Sequence, residues 1–409
     1  MRGAGDHLSV GERIAFYRRR RGLTQAVLAG LVGRSEDWLS KVERGDRQVR
    51  RLDVLTEVAG ALRVNLSDLL GQPVLVEDDA RDDDVPAVRD ALMSPHRLSR
   101  VLFARPGNDQ SLDLAVAARH VEDGWDEYQR GRLGRVIANL PELIRVAQAL
   151  EERDGPAGER GTWAVSARTH HLAATTLSKI GEADLAWIAA ERAMQAADRA
   201  DNPLVLASAA RAGTHALLAT GRYDDALELG RAASSWLAPR MRDDDPAALS
   251  LAGMLHLRMA VAAARRQDRA TASDLLHQAE DAAERLGEDA NHWQTSFGPT
   301  NVVLHRLSTA LDLGDVAVVV DRGPGIRTDD MPMERSASHR IDLARALSYV
   351  AQDEAAIDVL LAAEATAPQL VRHNPAVREV VRAVHRRTPV TSGAKSSRVL
   401  ALAERCRAV

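Results

Sequence analysis

The 409-residue chain is poor in the residue types on which several common chemistries depend. Its single cysteine, Cys406, excludes an internal disulfide framework and a cysteine-based zinc site. Aromatic residues make up 3% of the chain, and its basic residues comprise three lysines and 51 arginines. No run of 18 apolar residues occurs, and Arg18 to Arg21 lie in the first thirty residues, where a secretory signal would have its apolar core. We therefore expect a cytoplasmic protein with no membrane partner.

Charge is divided unevenly along the chain. Residues 1–76 contain 13 basic and 9 acidic side chains, whereas the remainder contains 41 basic and 49 acidic side chains. A small basic head on a larger acidic body suggests that the head alone meets a polyanion. Seven of the eight residues 77–84 are charged, which predicts a solvated linker, and we place an acidic linker and connecting segment at 77–109.

Residues 1–76 predict one domain of short helices. Ser9 and Glu12 form a capping box at the start of the first helix. Thr24 and Ser35 have side chains that cap a second and a third helix. A fourth helix is predicted over 52–62, and a short closing turn over 65–70 completes a domain of five short helices.

The third predicted helix presents one polar face. Positions 37, 40, 41 and 44 follow the spacing i, i+3, i+4 and i+7, so their side chains share a face opposite Leu39 and Val42. A helix clamped from behind with short polar side chains in front fits the major groove of DNA, which is about 12 Å wide. This surface is therefore the predicted DNA-binding site.

The residues Leu23-Thr24-Gln25, followed by Ser35 to Gly45, resemble the helix-turn-helix of the XRE family of phage-repressor-like regulators. The resemblance implies a sequence-specific transcriptional regulator, and it implies an ion pair between Arg18 and Glu43. Two-fold pairing of a homodimer would place the recognition helices about 34 Å apart, which suits an inverted-repeat operator in double-stranded DNA. The candidate DNA-binding residues are Arg18, Gln25, Arg34, Ser35, Glu36, Asp37, Ser40, Lys41, Arg44, Arg47, Arg50 and Arg51.

Two adjacent carboxylates, Glu36 and Asp37, leave alternatives open. Lys41 would donate to guanine, and an acidic side chain could accept a hydrogen bond from cytosine. However, carboxylates are also favoured at a helix N-terminus without any DNA. A protein-interaction scaffold whose head has lost DNA binding is one alternative. A phage-type repressor or antitoxin-like protein without a small ligand is another.

From about residue 110 the sequence is rich in alanine, leucine and arginine and divides into helix pairs. One helical hairpin cannot bury its own apolar face, so such units stack into a curved solenoid. The hairpins resemble tetratricopeptide repeats, and an XRE head joined to such repeats is similar to the peptide sensors called RRNPP. The predicted hinges are Gly131, Gly181, Gly221, Asp268, Gly314 and Asp353.

The predicted fold class is therefore all-α, with a helix-turn-helix head and a tetratricopeptide-like solenoid. The array is placed at 110–387, and a flexible break (388–397) with a C-terminal helix is placed at 388–409. We expect the array to dimerise and to sense a peptide, a small molecule or a protein partner. No phosphate-binding glycine loop, H-E-x-x-H or G-x-S-x-G motif occurs, so we expect neither enzymatic activity nor a cofactor.

The first helices of the hairpins, which usually line the inner curve, carry five histidines, namely His171, His215, His256, His305 and His339. Counted back from each hinge, the histidines lie 10, 6, 12, 9 and 14 residues away. At about 100° per residue they spread over about 200°, so we do not expect one stripe, and structural use of the histidines is an alternative to ligand binding. His170 and His171 are neighbours on a helix and point apart, so no metal site is predicted. Candidate residues for a groove that takes the carboxylate of a short peptide are Arg168, His171, Arg211, His215, His256, Asn301 and His305.

Overall fold

The computed structural model describes residues 9–20, 23–47, 49, 52–62, 69, 85–97, 102, 113–154, 160–240, 245–388, 394–406 and 408. The regular elements among these residues are α-helices and short 3-10 turns, without a strand, which confirms the all-α fold class. The chain divides into two compact units, Met1–Met93 and Ser94–Val409.

Short helices within residues 9–69 of the first unit pack on one apolar core. Ile14, Leu28, Leu39 and Val58 lie in this core with no exposed surface. The predicted closing segment 65–70 lies outside the described residues except for Leu69, which is buried. The helices that the structure describes in this unit are α1 (Val10–Arg20), α2 (Gln25–Leu31), α3 (Glu36–Glu43), α4 (Leu52–Leu62) and α5 (Val85–Leu92).

The predicted N-terminal caps are present. The backbone N–H of Ser9 donates to Glu12 Oε2 over 2.7 Å, and the Glu12 N–H donates back to Ser9 Oγ over 3.4 Å. Thr24 and Ser35 each accept a backbone N–H three residues later over 3.2 Å. These side chains satisfy N–H groups that have no partner inside the helix, so they fix where α1, α2 and α3 begin.

The predicted acidic linker and connecting segment, 77–109, contains one described helix. The charged residues 77–84 lie outside the described residues, but α5 occupies the segment that follows. Val85, Val88, Ala91 and Leu92 of α5 are buried. Four apolar side chains on one helical face favour a packed helix over a solvated connection.

The described residues of the second unit form six helical hairpins in chain order. The first helices of the hairpins are α6, α8, α10, α12, α14 and α16, and each is followed by its second helix. The bounds are α6 (Leu114–Gln129), α7 (Leu133–Asp154), α8 (Arg160–Ile180), α9 (Ala183–Ala200), α10 (Pro203–Ala219), α11 (Tyr223–Leu237), α12 (Pro246–Arg265), α13 (Arg269–Leu286), α14 (Pro299–Asp312), α15 (Val316–Arg322), α16 (Met333–Tyr349), α17 (Asp353–Thr366), and then α18 (Pro368–Arg372), α19 (Pro375–Arg387) and α20 (Ala394–Arg405).

The six hairpins turn through the same backbone motif. A residue with positive φ follows each first helix, and the N–H of the next residue donates to the carbonyl five residues earlier, as Arg222 does to Leu217 over 2.9 Å. This bond satisfies a carbonyl at the helix end. The predicted hinges coincide with these turns, although the left-handed residues are Gln267 and Ala351 at the turns predicted from Asp268 and Asp353.

The first helices close into a ring. Each first helix packs against the first helix of the next hairpin, and α16 packs both against α14 and against α6. Lys179 of α8 also pairs with Glu334 of α16 over 2.6 Å, and Gly134 N donates to Gln369 Oε1 over 3.0 Å. The sequence predicts a curved solenoid, in which each repeat contacts its chain neighbours. The structure differs because the sixth hairpin also contacts the first.

Two further features concern single helices. Among the described residues, α12 alone is long and apolar enough to cross a membrane, but 72% of its most apolar window is buried in the fold, as in the core helix of a globular unit. Helix α20 begins at Ala394, inside the predicted break 388–397, and residues 389–393 lie outside the described residues. Cys406, just after α20, is fully buried, and burial together with nearby Glu364 raises the pKa of its thiol to about 12.

Candidate functional site

Helix α3 has one buried face and one exposed face. Leu39, Val42 and Glu43 are buried against the rest of the first unit. Asp37 and Lys41 are exposed on the other side. The helix therefore presents its polar face outward while its back is held, as the sequence predicts for a recognition helix.

A buried carboxylate ties three helices together behind this face. Arg18 donates to both oxygens of Glu43, over 2.6 Å from Nε and 2.8 Å from Nη2. Gln25 Nε2 donates to Glu43 Oε2 over 2.7 Å. The hydrogen bonds to Glu43 raise the pKa of Arg18. The implied ion pair is therefore present, and it connects α1, α2 and α3.

This arrangement also changes the expectation for two candidate residues. The sequence places Arg18 and Gln25 at DNA, but in the structure both side chains turn inward onto Glu43. Arg18 Nη1 donates in addition to the carbonyl of Leu23 over 2.9 Å. Both residues therefore position α2 and α3, and their contact with DNA stays a prediction.

The remaining candidates surround the exposed face. Lys41 Nζ pairs with Asp37 over 2.8 Å, and this hydrogen bond lowers the pKa of Asp37. Arg44 pairs with Asp46 over 3.2 Å. The Arg34 guanidinium lies 5.7 Å from the Trp38 ring centroid. Arg50 and Arg51 lie outside the described residues, whereas Ser35, Glu36 and Arg47 are exposed and Ser40 is half-buried.

In the second unit, the ring of first helices surrounds a polar cavity. The space open to the centre of a water-sized sphere is about 40 Å³, which is room for about three water molecules. All six first helices contribute to its wall. The lining side chains are Trp125, Tyr128, Gln129, His171, Thr175, Lys179, Arg211, His215, Met254, Arg258, Gln294, Thr295, Ser296, Asn301, His305, Glu334 and Arg335.

The cavity brings together most of the ligand residues proposed from sequence. Those that line it are His171, Arg211, His215, Asn301 and His305. Of the five histidines counted from the hinges, these three share the cavity wall, whereas His256 and His339 do not line it, so the five are not one stripe.

Two of the proposed ligand residues do not line the cavity. His256 is bonded to the backbone of Gln278 on α13, because it lies two positions from Met254, about 200° around the helix. Arg168 lies beside the cavity, bonded to Glu122 over 2.8 Å. It therefore holds a neighbouring segment and is not part of the cavity wall.

Four cationic side chains and one carboxylate line the cavity. The carboxylate, Glu334, is already paired with Lys179 over 2.6 Å. Burial acts to raise the pKa of Glu334, but Lys179 and Arg335 outweigh burial and lower it to about 2. Sequence reasoning missed Arg258, Arg335 and Lys179, although Arg258 lies i+4 from Met254 on the cavity face of α12.

Arg211 is the most buried of these cations. It is 6% exposed, and it donates to the backbone carbonyls of Gln294 and Trp293 over 3.3 and 3.4 Å. Burial, followed by the positive charges of Arg258 and Arg168, lowers its pKa to about 9. No described carboxylate forms an ion pair with Arg211.

Burial and the neighbouring positive charges also keep the cavity histidines neutral. Burial and then Arg211 hold the pKa of His171 well below its usual value, while its Nδ1 lies 2.8 Å from Ser208 Oγ. Burial and Arg258 do the same for His215, and burial and Arg335 do so for His305. A protonated imidazole would add charge to a site that already has an excess of cations.

The segment 291–296, between α13 and α14, forms part of the cavity wall. Trp293, Gln294 and Ser296 have φ values of 53°, 50° and 49°, a strained backbone region for residues with a side chain. Asn291 and Gln129 exchange two hydrogen bonds of 2.9 Å, and Gln294 Nε2 donates to Glu122 over 2.9 Å. These bonds hold the segment against α6.

Arg168 holds the same segment. Its guanidinium lies 5.0 Å from the Trp125 ring centroid and 5.2 Å from that of Trp293, and its Nη2 donates to Gln294 Oε1 over 2.5 Å. The strained backbone is therefore kept in place by contacts from two other hairpins.

Comparison with known proteins places the first unit. Residues 9–69 match the family model described as a helix-turn-helix domain. The chain is similar to the immunity repressor protein of Bacillus phage phi105, with 38% identity over 72 residues, which is 18% of this chain and 49% of the relative. The chain thus spans about half the length of the curated relative that it matches.

Solved structures give a more distant likeness. Bacillus thuringiensis PlcR in complex with the peptide PapR7 and DNA is 14% identical, with 68% of this chain and 95% of that chain covered and a TM-score of 0.30. ComR from S. thermophilus in complex with DNA and its signalling peptide ComS is 14% identical, with 74% and 99% covered and a TM-score of 0.26. Both TM-scores lie below 0.5. Residues 9–69, by contrast, match along the helices that the structure describes, and they form a helix-turn-helix domain.

Proposed function

We propose that this protein is a sequence-specific DNA-binding transcriptional regulator that acts as a homodimer. The observation that carries the proposal is α3, whose polar face is exposed while its apolar face is clamped in a helix-turn-helix domain. Such a helix enters the major groove, and its exposed side chains contact base edges and phosphates. The similarity to a phage repressor supports the same role.

The exposed charges of α3 are available for DNA. Lys41 pairs with Asp37 on the helix surface, where water competes for both groups, so Lys41 can exchange this partner for a base or phosphate. Arg44, at the end of the same face, is also exposed. Cationic side chains at these positions release counterions from DNA when they bind, so affinity should fall steeply with salt.

The second unit is proposed to act as the sensor and dimerisation part of the regulator. Its buried cavity is lined by every hairpin of the array, so a bound effector would contact all of them. A ligand that binds one arrangement of the hairpins better than another shifts their equilibrium. The proposed effector is a peptide or small molecule.

The test begins with selection of DNA fragments bound by the full-length protein from random DNA. Gel shifts on the selected site then compare the wild type with Lys41→Ala and Arg44→Ala. A lost base contact should weaken specific binding by about 5- to 150-fold, and a lost phosphate contact should reduce the salt slope by about one. Arg231→Ala, an exposed arginine of α11, is the control.

The results separate the proposal from a protein-interaction scaffold. Selection of a two-fold symmetric sequence that binds the variants more weakly supports the regulator. If no sequence is enriched, or if both α3 variants keep wild-type affinity and salt slope, α3 is not a recognition helix.

A further inference from the structure

The cavity of the second unit has more positive charge than its own residues neutralise. Arg211 and Arg258 form no ion pair with a described carboxylate, and Glu334 is engaged by Lys179. Nε of Arg258 and Nε of Arg335 are buried without a hydrogen-bond partner among the described residues. A buried guanidinium without a partner is costly, because desolvation is not repaid by an opposite charge.

The hydrogen bonds that Arg211 does make are weak compared with an ion pair. Its donors reach two backbone carbonyls over 3.3 and 3.4 Å and His171 Nε2 over 3.4 Å, all longer than a typical N–H···O bond. Both carbonyls belong to the strained segment 291–296. The two carbonyl oxygens therefore occupy positions beside Arg211 at which a negatively charged oxygen would bind more strongly, because hydrogen bonds to an ionised acceptor are shorter and stronger.

The side chains of the cavity wall determine the sign of the charge that a ligand of this cavity has. A metal ion or an ammonium group would meet four cationic side chains, whereas neutral histidines and guanidinium groups can donate to oxygen. The volume, enough for about three water molecules, matches the oxygens of one carboxylate or phosphate group. The rest of a larger ligand would have to displace the segment 291–296.

We infer that the ring cavity is an oxyanion site, in which Arg211, Arg258 and Arg335 bind one carboxylate or phosphate group of the effector. This inference rests on the proposed sensor function and specifies the chemical group of the effector that the second unit binds. Arg168 acts as a positioning residue, because it holds Trp293 and Gln294 beside the site. The site draws residues from α10, α12 and α16, so an oxyanion would bridge hairpins that are distant in sequence.

The inference is tested by thermal unfolding of the full-length protein without DNA. The probes are inorganic phosphate, N-acetylalanine and N-acetylalaninamide, each against sodium chloride of equal ionic strength. Phosphate or N-acetylalanine should raise the Tm because a ligand that binds only the folded state stabilises it. N-acetylalaninamide, which lacks the charge, should not. A response to phosphate alone indicates a phosphate ligand, and a response to N-acetylalanine indicates a carboxylate.

Variants locate the site. Arg211→Met and Arg258→Met should each weaken anion binding at least tenfold, because a charge-assisted hydrogen bond is lost. Arg231→Met, exposed on α11, should bind as the wild type does. Arg211→Met should also raise the Tm of the ligand-free protein, since an unpaired buried charge is removed. A purely structural arginine would give the opposite shift.

Two results would overturn the oxyanion site. One is a wild-type protein that no anion stabilises beyond chloride. The other is Arg258→Met or Arg211→Met with an undiminished anion response, and if one variant fails to fold the other decides. Gel shifts are measured separately, so anion binding without DNA binding would refute the regulator and leave the site standing.

Discussion

Acid should destabilise the second unit through its buried histidines. His170, His171, His215 and His305 have lowered pKa values, about 4 for His170 and well below the usual value for the others. Burial is the largest cause for each of them. In the unfolded chain these side chains titrate near pH 6.5. The unfolded state therefore binds more protons than the folded state once the pH falls below that value.

The magnitude follows from proton linkage. A depressed histidine pKa gives stability that is present above pH 6.5 and is lost as the pH falls toward the folded-state pKa. Between pH 6 and pH 5 each such histidine costs on the order of 1 kcal/mol, so the four together cost on the order of 4 kcal/mol. Since a domain is typically stable by about 5–15 kcal/mol, this loss would be large.

The assay is urea unfolding of the full-length protein at pH values from 7.5 to 5, with the second unit followed by tryptophan fluorescence. His215→Gln should reduce the loss between pH 6 and pH 5 by about 1 kcal/mol, because glutamine cannot be protonated. His120→Gln, at an exposed position of α6, is the matched control. A free energy of unfolding that is flat over this range, or that rises toward pH 5, would refute the reasoning.

Three further substitutions and one labelling experiment test separate parts of the structure. Glu43→Ala should destabilise the first unit by about 3–5 kcal/mol, as expected when one partner of a buried ion pair is removed. Hydrogen exchange of the backbone amides of α1 to α3 measures this loss. Unchanged protection would contradict the role of Glu43 in connecting these helices. Gly221→Ala should cost about 1–2 kcal/mol because φ is 75° in open space. Gly131→Ala should cost more in urea unfolding, because its new Cβ would lie 2.8 Å from Ala367 Cβ, and equal losses would count against this. Cys406, with a pKa of about 12, should react with thiol reagents only on unfolding, and rapid labelling of the folded protein would show that its burial is incomplete.

The parts of the fold that sequence predicted are those that local chemistry decides. A serine or threonine followed by free N–H groups caps a helix whatever lies around it, so Thr24 and Ser35 fix the starts of α2 and α3. Glycines at 131, 181, 221 and 314 adopt positive φ at helix ends for the same local reason. Gln267 and Ala351 adopt positive φ at the corresponding turns, but glutamine and alanine are not typical of this conformation, so the sequence does not predict it there.

The cavity could be predicted only in part. Counted from their hinges, His171, His215 and His305 fall within the central 100° or so of the predicted spread, while His256 and His339 fall at its two edges. The full spread of about 200° therefore concealed a narrower group. A count from the hinge gives direction on one helix, but it cannot say which helices face one another.

The closure of the ring could not be predicted from the sequence, and the reason is physical. The contact of α16 with α6 joins segments about 200 residues apart, and it depends on the small rotation that each hairpin adds to the next. No single turn or cap encodes that sum. Arg335 and Glu334 could therefore not be assigned to the same site as His171.

The joined ends of the hairpin array restrict how this protein can change. An open stack of repeats can gain or lose a unit at little cost, because the new end resembles the old one. Here an added or deleted hairpin would part α16 from α6, separate Lys179 from Glu334 and admit water to the arginines. New specificity in such a molecule must therefore come from replacing side chains within a fixed number of hairpins.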